Sequence, residues 1–340
     1  MEKILTIIVP TYNMEKYLRN CLDSLIVDEE GMKQLEVLVI NDGSKDSSSQ
    51  IAHEYQDKYP DTFHVIDKEN GNYGSCINRG LKEATGKYVK VLDADDSFDN
   101  KGFKSYLKLL QDLDVDLIVT DYVIVDEKGS VKSRSDRKLA SNCIMNITDA
   151  IDEFLHPQIQ MHAVTYKVQN LRDIDYYQTE GIFYTDQEWM FMPMTTVDTL
   201  YYFPVVIYRY LVGRAGQTVE MEAHIRNISH HIKSDLVMLN HFSTIKTTET
   251  MFRYLKIRCV GCFQALYYRY LIMRPSILNI EDLIHLDRVV SSNPIIYMET
   301  SKSKCKYVPY IHLWRNSGAS EHIPFIIRML SFLYKIKNRL

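Results

Sequence analysis

The chain has 340 residues with 40 Lys/Arg against 44 Asp/Glu, a net charge of −4, and is 46% hydrophobic and 25% charged. That composition excludes a disordered or collagen-like chain, the acidic balance excludes a wholly basic nucleic-acid binder, and the length suits one large or two ordinary domains. The average hides an asymmetry: residues 301–340 hold eight basic residues (Lys302, Lys304, Lys306, Arg315, Arg328, Lys335, Lys337, Arg339) and one acid, Glu321, so a +7 end follows a −11 body.

The opening apolar run Ile4–Val9 is too short for a secretory signal and lacks a small-residue cleavage site. No stretch reaches the about 20 apolar residues that span a bilayer. Six scattered cysteines argue against a disulfide framework and suit a reducing cytoplasm. Cys259 and Cys262 have metal-ligand spacing but no second pair, so packing within a Tyr-rich helix is the simpler reading.

Strand and helix signals alternate over the first 125 residues. Ile4–Val9 reads as a strand buried on both faces, followed by a helix with apolar residues at Tyr17, Leu18, Cys21, Leu22 and Leu25. Leu35–Ile40 is the next strand, Ile51 to Tyr59 a helix, and Phe63–Ile66 a third strand. A Gly-rich loop, Asn70 to Ser75, leads to a helix over Cys76–Ala84 that Gly86 is expected to end. Tyr88–Leu92 and Leu117–Val125 are further strands, and Asp126–Gly129 reads as a hairpin turn. Such alternation implies βαβ units, a mostly parallel sheet and ligands at the carboxyl ends of the strands. Beyond about residue 140 the pattern weakens, with a helix at Thr148–Leu155 capped by Thr148 and strands at Leu200–Phe203 and Val205–Tyr210. Ile225–Leu239, Thr247–Arg274 and Ile280–Val290 read as helices.

Three acidic clusters follow strands. Asp42, in Asn41-Asp42-Gly43-Ser44, either accepts an N–H from a base or simply suits a tight turn. Asp93-Ala94-Asp95-Asp96 puts three repelling carboxylates in four residues, which either meet a hard divalent cation or form a solvated acidic loop. Phe183 to Trp189 sets Asp186 and Glu188 among aromatics, as a general base or as a helix cap with an acid in its first turn.

Jointly these segments resemble glycosyltransferase family 2, whose catalytic domain has the GT-A fold. The resemblance rests on Ile7-Ile8-Val9-Pro10-Thr11-Tyr12-Asn13, Val39 to Asp46, Asn70-Gly71-Asn72-Tyr73-Gly74 through Asn78-Arg79-Gly80, and Gly86-Lys87-Tyr88 through Asp96, in matching order and spacing over about the first 100 residues. Gly181 to Trp189 looks like the acceptor-base segment, and Tyr208 to Gln217 resembles the stretch that ends the domain in bacterial surface-polysaccharide members. One departure is Thr185-Asp186 where the family often has Glu-Asp, so only Asp186 carries over.

The resemblance implies an α/β GT-A fold over residues 1–218, a mostly parallel sheet flanked by helices, and a mainly helical region over 219–340. It implies an inverting transferase that uses Mg²⁺ or Mn²⁺ and a nucleotide sugar, expected to be UDP-linked, with a glycan or lipid-linked acceptor in bacterial surface polysaccharide synthesis. Pro10, Thr11, Tyr12 and Asn13 would line the nucleotide with Asn72 and Gly74, and Asp42 would read uracil. Asp93 and Ala94 would sit by the ribose, Asp95 would hold the metal, and Arg79 and Arg214 would meet the diphosphate. Asp186 would be the base. Two rivals are a nucleotide-sugar or glycan-binding module without transfer activity, against which the intact Asp93, Asp95 and Asp186 speak, and a nucleotidyltransferase, whose Gly-rich triphosphate loop Pro10-Thr11-Tyr12-Asn13 lacks.

The end of the chain, Ile323 to Leu340, is apolar and basic. It suits an amphipathic helix on an anionic membrane surface, which would make the protein peripheral on the inner face of the cell membrane, or else a helix docked on the protein with a solvated basic end. Among 24 tyrosines, Tyr166, Tyr176, Tyr177 and Tyr184 are candidates for sugar stacking, with core filling as the alternative.

Overall fold

The computed structural model describes residues 2–155, 157–214, 217 and 221–338. Met1, Ala215 and Gly216 of the domain-ending stretch, Thr218 and Val219 at the expected boundary, and Arg339 and Leu340 of the basic end lie outside the described residues. The chain divides into two compact units, Met1–Gln217 and Thr218–Leu340.

In the first unit the strands are β1 (Leu5–Thr11), β2 (Leu35–Asn41), β3 (Phe63–Asp67), β4 (Tyr88–Val91), β5 (Ser97–Phe98), β6 (Leu117–Val125), β7 (Val131–Arg134), β8 (Ile144–Asn146), β9 (Val164–Lys167) and β10 (Thr199–Leu211). The helices are α1 (Leu18–Asp23), α2 (Glu29–Gln34), α3 (Ser48–Lys58), α4 (Asn72–Glu83), α5 (Asn100–Leu110), α6 (Ile147–Ala150), α7 (Val168–Asp173) and α8 (Asp186–Trp189). One sheet runs β3-β2-β1-β4-β9-β6-β10-β5, with β7 on β6 and β8 on β10.

Strands β3, β2, β1 and β4 are parallel, as the βαβ alternation requires. Beyond β4 the sheet is mixed: β9 runs antiparallel to both β4 and β6, while β6 and β10 are parallel. Helices cover both faces of β1. Leu5, Ile7 and Val9 join a core with Leu18 of α1, Ile51 of α3 and Phe103 of α5, whereas Ile8 faces Gly80 of α4. Burial on both faces explains why β1 and β2 read as continuous apolar runs.

Several boundaries differ from the sequence reading for identifiable reasons. Helix α4 starts at Asn72, so Gly74 lies in its first turns rather than in a loop. It ends because Ala84 turns extended, and Gly86 instead permits close approach to β1, since a Cβ there would lie 2.6 Å from the Thr6 nitrogen. The two expected strands around Pro204 are one, β10, with its register shifting between Phe203 and Val206. Pro204 sits at that irregularity, where its missing N–H costs least. Thr148 is inside α6, whose N-cap position is Asn146. The Asp126–Gly129 turn joins β6 to β7, with Gly129 at φ +77°.

The second unit consists of helices α9 (Met221–Arg226), α10 (Ile228–Thr244), α11 (Glu249–Tyr268), α12 (Ile280–Val290), α13 (Pro294–Ser301), α14 (Tyr310–Asn316) and α15 (Phe325–Asn338), with a π-turn at Arg269–Met273 ending α11. Cys259 is buried in α11 and Cys262 half-buried one turn later, neither of them in a disulfide. Its interior holds a polar knot in which Arg315 Nε donates to Asp287 Oδ1 at 2.7 Å and its other nitrogens reach the Tyr267 hydroxyl and Ser301. Among the described residues no helix is long and apolar enough to cross a membrane.

Candidate active site

The site forms where β1, β2 and β4 end. Asp42 follows β2 directly and is only 2% exposed. Its Oδ1 accepts from Lys68 Nζ at 2.5 Å and from the Gly71 N–H at 2.9 Å, so the turn residue is also a buried, paired carboxylate. Thr11 is buried, and its carbonyl accepts the Asp42 N–H. Tyr12 presents an exposed ring, while Asn13 adopts φ +54° and accepts the Lys45 N–H on its side-chain oxygen. Asn72 also sits at φ +65°, a conformation Asn tolerates better than most residues. Pro10, the next-to-last residue of β1, is half-buried.

The acidic loop after β4 is divided among separate partners. Asp93 Oδ1 accepts from the Tyr73 hydroxyl at 2.8 Å, and Asp95 Oδ2 accepts from Arg214 Nε at 2.6 Å. Asp96 is buried, accepting from the Tyr208 hydroxyl at 2.7 Å and the Leu211 N–H at 2.6 Å. Tyr208 also accepts the Asp93 N–H, so this one hydroxyl ties both ends of the loop to β10. Ala94 is buried between them. Burial, then the Asp95 charge, raises Asp93 to about 7, and burial with the same neighbouring acids raises Asp96 well above the carboxylate range.

His162 was not legible in the sequence: a lone histidine in Gln160-Met161-His162-Ala163 carries no spacing signal. Its ring stacks on Tyr210 at 4.3 Å and meets Tyr208 edge-on at 4.7 Å. Beneath it the buried Lys90 donates to the His162 and Val164 carbonyls at 2.8 and 3.0 Å. Burial lowers Lys90 to about 7, and burial with Lys90 nearby lowers His162 to about 3, so the imidazole is neutral at physiological pH. Asp93, Asp96 and His162 each offer a ligand atom within 4.8 Å of the others, and His162 Nδ1 is buried without a partner. Two carboxylates and a neutral imidazole fit a divalent cation such as Mg²⁺ or Mn²⁺. Asp95 lies outside that group, its carboxylate held by Arg214, which also lies over the Tyr17 ring.

Asp186 opens α8, half-buried, and its Oδ2 accepts from Gln187 Nε2 at 3.0 Å. Its charge is among those acting on Asp93 and on Tyr73, which places it by the acidic loop. Glu188 is buried and accepts the Thr179 N–H at 2.8 Å, a structural role. Thr179 in turn lies against Gly74, where a Cβ would come 2.1 Å from the Thr179 carbonyl oxygen. Arg79 pairs with Glu83 at 2.8 Å and lines a groove of about 720 Å³ with Lys68, Asn78, Arg172 and Tyr177. Tyr166 and Tyr176 pack edge-on against buried Trp189, which is core filling, whereas Tyr177 is exposed and Tyr184 half-buried at φ +66°.

A half of parallel strands, an acidic loop after β4 and antiparallel strands beyond it define a GT-A type transferase fold. Staphylococcus aureus TarS 1-349, solved in complex with UDP-GlcNAc, has the same fold, with a TM-score of 0.60 at 16% identity over 94% of this chain and 93% of that one. The sequence pattern of Glycosyl transferase family 2 matches residues 6–177, just over half of the chain, and the chain belongs to that family. It is 41% identical over 103 residues to the uncharacterized glycosyltransferase MG025 of Mycoplasma genitalium, covering 30% of this chain and 34% of that protein. It is 36% identical over 107 residues to the minor teichoic acid biosynthesis protein GgaB of Bacillus subtilis, covering 32% of this chain and 12% of that one. The chain thus spans about a third or less of these relatives.

Proposed function

We propose that the chain is an inverting, divalent-metal-dependent glycosyltransferase that moves a sugar from a UDP-sugar to a hydroxyl of a glycan or lipid-linked saccharide in bacterial surface polysaccharide synthesis. The observation that carries this reading is the meeting of the Asp93–Asp96 loop with Asp186, distant in sequence yet close enough for Asp186 to act on Asp93. The likeness to TarS supports the UDP-sugar and the likeness to GgaB supports the surface polymer.

In this reading Pro10, Thr11, Tyr12 and Asn13 line the nucleotide with Asn72, and Asp42 reads the base while Lys68 balances its charge. Asp93 and Ala94 lie by the ribose. Asp95 is assigned to Mg²⁺ or Mn²⁺ once it leaves Arg214, next to the group of donors Asp93, Asp96 and His162; a metal held by these residues would offset charge on the departing nucleoside diphosphate. Arg214, now on Asp95, carries the positive charge a diphosphate matches, and Arg79, paired with Glu83, is assigned the same role. Asp186 takes the proton from the acceptor hydroxyl as that oxygen attacks the anomeric carbon opposite the leaving group, which inverts the centre. Gly74 acts through the close approach of Thr179. Transfer is assigned to residues 1–218, and residues 219–340 to a helical region whose basic end meets the inner face of the cell membrane.

Asp186→Asn tests the base assignment: turnover is expected to fall by ~10²–10⁴-fold with UDP affinity kept, as read by UDP release and calorimetry. Near-normal transfer by that variant removes the assignment. A wild-type chain that binds a UDP-sugar but passes the sugar neither to an acceptor nor to water is a binding module instead.

A further inference from the structure

Helix α15 is apolar on two sides. Ile327, Leu330 and Ser331 are buried, and Lys335 Nζ donates to the Arg274 carbonyl at 2.9 Å, so one side is docked on its own unit. The other side presents Phe325, Met329, Phe332 and Ile336, spaced four, three and four residues apart, with Phe325 74% and Phe332 63% exposed. On a water-facing helix that stripe would be polar. The sequence reading offered membrane contact and docking as alternatives; the two faces allow both at once.

A second element sits nearby. Cys305 and Val308 bridge a tight turn whose corners, Lys306 and Tyr307, have φ of +46° and +70°. Two adjacent non-glycine residues in the left-handed region cost free energy, and the result is a Tyr307 ring 95% exposed beside Lys304 and Lys306. The turn and the helix share one neighbour: the Tyr268 ring meets Tyr310, two residues beyond the turn, at 6.2 Å and Tyr334 of α15 at 5.9 Å.

We propose that the outer stripe of α15 and the Lys304–Tyr307 turn form one docking surface for an anionic lipid bilayer. This rests on the membrane reading above and gives it residues. The occupant follows from charge. Residues 322–338 contain Arg328, Lys335 and Lys337 and no acid, and Arg274 lies near enough to Arg328 for their charges to repel. A second copy on this surface would bring like charges together, whereas anionic headgroups meet the cations while acyl chains take the aromatic and aliphatic side chains.

The test is sedimentation of the full chain with vesicles of phosphatidylcholine, with and without phosphatidylglycerol. Binding is expected only with phosphatidylglycerol and should weaken with salt. A Phe325→Ser, Phe332→Ser double variant and, separately, a Lys304→Glu, Lys306→Glu, Tyr307→Ser variant should each lose about tenfold or more in affinity. Phe325, Phe332, Lys304, Lys306 and Tyr307 are all exposed, and circular dichroism with thermal melting checks that the variants fold. Equal binding to both vesicle types, or unchanged binding in either variant, overturns the proposal. So does concentration-dependent self-association in solution that the Phe double variant abolishes, since the stripe would then belong to a second copy. Turnover of a UDP-sugar with a water-soluble acceptor is expected to be the same in wild type and both variants. A wild type that neither transfers nor hydrolyses a UDP-sugar while vesicle binding stands would remove the transferase reading and leave this one in place.

Discussion

Asp93, Asp95 and Asp96 coexist because each finds a different donor: Tyr73, Arg214, and Tyr208 with the Leu211 N–H. The arrangement removes neither the cost of their burial nor their repulsion, and the two together, burial first, raise the proton affinity of Asp93 and Asp96. A cation entering the loop would lower that affinity and displace protons, so the strain favours a metal. Asp95 is the member already paired with a cation, the Arg214 guanidinium, and both side chains are only 13% exposed. If Asp95 exchanges Arg214 for the metal, Asp95→Ala should bring UDP affinity in Mn²⁺ down to its metal-free value, a loss of about tenfold or more, on the order of 1.4 kcal/mol. Calorimetry with and without Mn²⁺ reads this directly. A wild-type protein with equal UDP affinity in both conditions contradicts the assignment.

Residues 178–181 form a strap along α4 that fixes where α8, and so Asp186, begins. Asn78 Nδ2 donates to the Gln178 carbonyl and its Oδ1 accepts the Gln178 N–H, both at 2.8 Å, and the Gly181 N–H reaches the Gly71 carbonyl at 2.8 Å. Contact of backbone with backbone at Gly74 makes this possible, so Gly74→Ala should push the strap off the helix. The expected cost is about 1–3 kcal/mol of stability, with turnover falling further than UDP affinity because Asp186 moves and the nucleotide end of β1 does not. Thermal melting and paired kinetic and calorimetric measurements check it; an Ala variant with wild-type turnover would mean the strap does not position the base. The same region explains what the sequence made legible. Strands β1 to β4 were readable because β-branched runs between turn residues leave few alternatives, and the acidic loop was readable because three carboxylates within four residues are rare. Asp99 with Phe103, Tyr106, Leu107 and Leu110 was an available signal for α5, with a capping side chain followed by apolar residues at helical spacing. The meeting of Lys90, His162 and Tyr208 had no local signal, since only the β4-β9-β6-β10 strand order brings them together.

At the scale of the whole chain the two units respond to acid in different ways. In the second unit His224 Nδ1 lies 2.8 Å from His231 Nε2, and burial together with the Arg269 charge lowers His224 to about 4 and His231 to about 2. Both are neutral in the folded unit, whereas an unfolded histidine takes a proton near pH 6.5. As pH falls below 6.5 the unfolded state therefore binds protons that the folded unit refuses, and stability is lost progressively toward pH 4. In the metal-free first unit Asp93 and Asp96 act oppositely. Their raised affinities let the folded state bind protons before an unfolded carboxylate does, so between about pH 7 and 4 they add stability as acid is added. His162, lowered to about 3, offsets part of that gain, and Lys90 matters only above about pH 7. Hydrogen exchange read by peptide, corrected for intrinsic rate, should then show protection falling between pH 7 and 5 in α10 and α11 while β1 and β2 hold theirs. His231→Asn should keep part of the protection in α10 and α11 at pH 5, because the asparagine has no proton to gain on unfolding while His224, still lowered by burial and the Arg269 charge, has one. If wild-type protection falls equally in both units, a single cooperative transition links them, and the histidine pair is then to be judged by whether His231→Asn flattens the pH dependence of the whole chain.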